Sequence, residues 1–157
     1  MEEENIQKAK LLESMMLNQT GFVKLCNLNV VRNLVLSLSL DDFNLFKDRN
    51  IYFYPIFSPA SQSSLTINLP TGARIIGVDI NVITLFSPEE GAAILLHEIG
   101  HALNPSLKGV DGEYAADDYA VCHGYKEHII SGLEKGKLVN PSAFDKETTD
   151  KRINRLK

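Results

Sequence analysis

A chain of 157 residues, 44% hydrophobic and 23% charged, has the size and composition of one folded domain with its own core, which excludes a disordered segment or a disulfide-dependent miniprotein. A formal net charge of -4 with no dense lysine/arginine stripe excludes the usual electrostatic footprint of a nucleic-acid binder. The acidic start MEEEN and the lack of any run of eighteen or more apolar residues lead us to expect a cytoplasmic protein with no membrane partner.

The spacing of Ile6, Ala9, Leu12 and Met16 predicts a helix over Glu2 to Leu17. Phe22 to Leu38 reads as a second helix, although its β-branched content also suits a strand. Asp41 to Asn50 is a short polar helix or a loop. The character then changes: Ile51 to Phe57 is aromatic and β-branched and stops before Pro59, as a strand does. Ser58 to Ser64 is a small-residue loop. Leu65 to Leu69, Arg74 to Val78 and Asn81 to Leu85 are three more expected strands, parted by turn residues. Cys26 and Cys122 are expected to be two buried thiols rather than a bridge.

Two helices with clear punctuation follow. Ser87-Pro88-Glu89-Glu90 supplies a capping serine, a proline at the first helical position and an acidic first turn. This helix is expected to end at Leu103, before Asn104-Pro105. Asp111 is expected to cap the next, running from Gly112 to about Leu133. The tail from Asn140 is polar, one loose helix at most. The whole, residues 1–157, is expected to be one domain, with 1–20 and 137–157 as loosely packed or regulatory ends able to cover a cleft.

The first of these helices carries His97-Glu98-Ile99-Gly100-His101. Residues four apart lie about 40° apart around a helix, so both imidazoles leave one face and can share one cation. Glu98 is about 100° from His97, beside that cation and too offset to ligate it, the position of a general base for an activated water. Ala92, Leu95, Ile99, Ala102 and Leu103 fall on the opposite face, for the core. A catalytic zinc takes three protein ligands and an open position. Glu113, in the first turn of the next helix, supplies the third, and Asp117, one turn on, can accept from a ligating imidazole. Ordinary residue frequencies put HExxH in a chain of this length by chance on the order of once in a few hundred.

At these residues the chain resembles the gluzincin metallopeptidases. SPEEGAAILLHEIGHAL, and later EYAADDYAVCHGYKEHIISGLEKG, are most similar to the prenyl-protein endopeptidases and their heat-shock relatives, which join HExxH to an ExxAD helix. The resemblance covers about a third of the chain. It implies one zinc ion on His97, His101 and Glu113, Glu98 as base, Asp117 as support to a ligand, and a protein or peptide substrate. The family's transmembrane segments and its long insertion between the two helices have no counterpart here, and that brevity is more similar to the soluble minigluzincins, which are made as latent zymogens. The expected fold is therefore α+β and zincin-like, with a small mixed or antiparallel sheet beside an active-site helix and a glutamate helix.

Some roles stay open. The oxyanion donor is Tyr52, Tyr54, Arg152 or Arg155. His123 and His128, about 15 and 22 Å beyond Glu113 along one continuous helix, are set aside as packing or surface residues. The strands within Arg74 to Leu85 either pair with an extended substrate or are purely structural. The alternative function is a zinc-bearing regulatory or assembly protein without turnover, against which an intact Glu98 argues.

Overall fold

The computed structural model describes residues 2–57, 68–142 and 144–157. Among them are nine helices and one two-stranded sheet, so the protein is mainly α, which corrects the expected α+β class. The chain divides into two compact units, Met1–Pro88 and Glu89–Lys157.

In the first unit, helix α1 (Glu2–Ser14) ends before the two methionines that were to extend it. Its inward face carries Leu12 and, unexpectedly, Lys8, whose Nζ donates to Leu38 O at 3.0 Å, while Ile6 faces solvent. The expected helix over Phe22 to Leu38 is two helices, α2 (Gln19–Asn27) and α3 (Val30–Ser37). The break is Asn29 at φ 58, a left-handed conformation that asparagine tolerates better than most residues. Asn18 caps α2 through Gly21 N and donates to Pro55 O, tying the helix to the strand that follows. Helix α4 (Leu40–Asp48) starts with a full capping box, Ser39 and Asp42 each satisfying the other's backbone.

Strands β1 (Ile51–Ile56) and β2 (Arg74–Asp79) pair in parallel, Ile51 opposite Arg74 and Ile56 opposite Asp79. The sheet is thus neither mixed nor antiparallel, as had been expected. Parallel pairing needs a long crossover, and residues 57–73 are long enough to make one. The other edge of β1 is taken by the residues after α1, since Leu17 N donates to Phe53 O and Phe53 N to Met15 O. The loop at Ser58 to Ser64 and most of the expected strand at Leu65 to Leu69 lie outside the described residues. Asn81 to Leu85 is not a strand. Asp79 accepts from Asn81 N and Val82 N and opens a single helical turn, α5 (Ile80–Ile83), so a local cap outweighs the β-branched side chains. Phe43, Phe46, Phe53, Leu25, Leu34 and Ile80 are fully buried and form the unit's interior, with Phe43 and Phe46 edge to face.

The second unit is four helices. Helix α6 (Pro88–Leu103) has the expected bounds. Helix α7 (Gly109–Cys122) starts before Asp111, with Lys108 rather than that aspartate at the cap position, and it stops eleven residues short of the expected Leu133. At its end Tyr125 N donates to Ala120 O and Gly124 N to Val121 O, with Gly124 at φ 87. This paired closure round a left-handed glycine is the Schellman arrangement, and it turns the chain into a separate helix α8 (Lys126–Val139). Helix α9 (Lys146–Leu156) is capped by Asp145 through Thr148 N and buries Thr149, Arg152, Ile153 and Leu156. Cys26 and Cys122 are both free, and both are exposed rather than buried. Among the described residues no helix is long and apolar enough to cross a membrane.

Candidate metal centre on helices α6 and α7

Gly100, between the two motif histidines, lets α7 approach. A Cβ there would lie 2.7 Å from Ala116 Cα, closer than real contacts allow, and 3.0 Å from Tyr119 Cβ. Ala116 in turn lies between Glu113 and Asp117. The close crossing therefore sets His97 and His101 of α6 against the two acidic side chains of α7.

The three expected ligands meet. His97 Nε2 and His101 Nε2 are 3.1 Å apart, His97 Nε2 is 3.4 Å from Glu113 Oε2, and His101 Nε2 is 3.3 Å from Glu113 Oε1. Ligand atoms at about 2.0–2.1 Å from a tetrahedral cation stand about 3.3 Å from one another. Each separation is near that edge length, although the two to Glu113 run to different oxygens; taking one atom from each residue, the three lie within 4.8 Å of one another and could hold a metal ion.

The surroundings suit that use. Asp117, fully buried, lies 2.9 Å from His97 Nδ1, placed to accept a hydrogen bond from it; with the proton on Nδ1, a bound cation would meet the Nε2 lone pair on the side of Glu113 and His101. Arg152 of α9 completes the group: Nε donates to Asp117 Oδ2 at 2.9 Å, Nη2 to Asp117 Oδ1 at 2.7 Å, and Nη1 lies 2.7 Å from Glu113 Oε2. Burial disfavours the charged form of His97, yet Asp117 and Glu113 outweigh it and raise its pKa above the ordinary value. Contact with His97, then the charge of Arg152, holds the Glu113 carboxyl below its usual range. Burial pushes Asp117 upward, but its bonds to His97 and Arg152 win and its pKa is lowered.

His97, His101, Glu113 and Arg152 line a cavity of about 740 Å³, a volume in the range of ligand sites. Glu98 lies on its wall beside the histidines, half-buried. Ile94, Leu107, Val110, Ile129, Leu133 and Phe144 give the wall an apolar part. His128 lies on the same wall, contrary to its expected distance: the turn at Gly124 brings α8 back along the cleft. The dipeptide Gly124-Tyr125 was the signal for that turn. His123 instead bonds Tyr119 O and packs at a tilt against the Tyr119 ring. Of the four oxyanion candidates, Arg152 lines the cavity and Arg155 pairs with Asp118, over the Tyr114 ring. Tyr52 and Tyr54 belong to β1 in the first unit.

No protein-family model matches the chain, and the searches of curated proteins and of solved structures gave no match.

Proposed function

We propose that the protein is a zinc-dependent endopeptidase of gluzincin type, with His97, His101 and Glu113 as metal ligands and Glu98 as general base. The observation that carries this reading is the convergence of one ligand-type atom from each of His97, His101 and Glu113 within 4.8 Å of one another, with each imidazole 3.3–3.4 Å from a Glu113 oxygen. Two imidazoles and one carboxylate favour zinc over magnesium or calcium, which prefer all-oxygen shells. Three protein ligands leave a position open, whereas a purely structural zinc is closed by four. A zinc bound there lowers the pKa of water and polarises a substrate carbonyl.

The protein's own groups do the rest. Glu98 takes the proton from the attacking water and later returns it to the leaving nitrogen. Asp117 keeps the His97 ring in the ligating tautomer. The nitrogens of Arg152 are engaged by two carboxylates, and His128 is a second donor on the wall for a developing oxyanion. The apolar residues of the cavity exclude water and receive substrate side chains. Glu98→Gln is expected to retain zinc and to lose cleavage of a mixed peptide library by about a hundredfold or more. Equal cleavage by wild type and variant would remove Glu98 from the mechanism.

A further inference from the structure

We infer that Arg152 is a positioning residue that restricts Glu113 to one ligating oxygen and so keeps a metal position open for water; the inference rests on the metal-site reading above. Both carboxylate oxygens of Glu113 face an imidazole nitrogen, Oε1 toward His101 at 3.3 Å and Oε2 toward His97 at 3.4 Å. An unrestrained carboxylate in this orientation can give both oxygens to one cation. With two imidazoles that would fill all four positions and displace the water.

Arg152 prevents this by hydrogen bonding. Its Nη1 lies 2.7 Å from Oε2, engaging that oxygen and leaving Oε1 the stronger donor. The guanidinium cannot swing away, because Asp117 grips its Nε and Nη2 in a two-bond fork at 2.9 and 2.7 Å. Asp117 is fully buried and Arg152 is only 9% exposed, so little water competes for these bonds. One aspartate thus fixes both ends of the ligand set, His97 directly and Glu113 through the arginine. Docking of α9 does not need the Glu113 contact, since Thr149, Ile153 and Leu156 are buried beside it and Arg155 and Lys157 pair at the surface.

A lysine keeps the charge but cannot form the fork and reach Glu113 together. The test is the visible spectrum of the cobalt(II)-loaded protein. Wild type is expected to show the intense absorption of a four-coordinate ion, and Arg152→Lys and Arg152→Met a loss of about threefold or more per bound cobalt as the coordination number rises. Arg155→Lys, on the same helix, should leave the spectrum unchanged. Unaltered spectra in folded Arg152 variants would overturn the inference and leave the metal site standing, whereas a folded wild type that binds no cobalt would end both. Should neither variant fold, X-ray absorption of zinc-loaded wild type decides. A single shell at about 2.0–2.2 Å supports the inference, and an added oxygen at markedly longer distance refutes it.

Discussion

The two units treat buried polar groups in opposite ways. In residues 2–88 the described interior is aromatic and aliphatic, and its one buried charge, Lys8, is met by a backbone carbonyl and by Glu4. In residues 89–157 His97, Asp117, Thr149 and Arg152 are all buried within one four-helix unit, and three of the four contact one another. Burying charges costs several kcal/mol per ion before pairing repays it, and apolar residues of like volume often serve stability as well. A fold needing only to be stable gains little from such a cluster. Perturbed, mutually paired groups beside a cavity are what the proposed metal site requires.

That contrast can be broken from either side. The largest effect is expected from Asp117→Asn, which leaves the Arg152 guanidinium without its buried partner. Thermal or denaturant unfolding should show a loss of about 3–5 kcal/mol, and a loss under 1 kcal/mol would mean the cluster is not held by pairing. In the first unit Phe46→Ala removes a fully buried ring and should cost about 3–4 kcal/mol, with the metal content of the folded protein unchanged. Gly100→Ala is smaller and more local. Forcing a methyl group against Ala116 should cost about 1–3 kcal/mol and weaken zinc binding about tenfold by moving α7 away. Wild-type zinc affinity in that variant would show that the close crossing does not set the ligand geometry.

The mildest effect is that of pH on the metal-free protein, read as the difference between wild type and Asp117→Asn. Asp117 has a lowered folded pKa, so its contribution is present above its unfolded value of 3.8 and is lost as pH falls through the lower folded one. His97 has a raised folded pKa, so its contribution is full below 6.5 and is lost as pH rises through the folded value. The stability difference should therefore be greatest between about pH 4 and pH 6.5 and shrink on both sides. Melting curves of chelator-treated protein measure it, and a difference independent of pH would separate Asp117 from His97.

The two imidazoles of the candidate site were legible because helical spacing decides them: i and i+4 share a face whatever the rest of the fold does. What spacing could not reveal was the reach of other elements into the site. Arg152 arrives from α9, whose polar sequence reads as a loose tail, yet whose Thr149, Ile153 and Leu156 form one buried stripe. His128 was set aside because one continuous helix from Gly112 to Leu133 would put it about 22 Å from Glu113; that helix ends early through the backbone freedom of Gly124, which an apolar pattern does not register. The sheet failed for a related reason. Asn81 to Leu85 has strand composition, but the Asp79 cap acts over two residues and wins locally. Parallel pairing of β1 and β2 is a tertiary choice that neither strand encodes alone. The α9 stripe also bears on the expected covering role of residues 137–157, because this segment supplies Arg152 and Thr149 to the cavity wall.

The most direct test of the central claim is anomalous diffraction at the zinc edge from crystals grown with the metal. One peak within bonding distance of His97 Nε2, His101 Nε2 and a Glu113 oxygen is the expected result. Crystals with no density among those atoms, or with zinc bound only elsewhere, would contradict it.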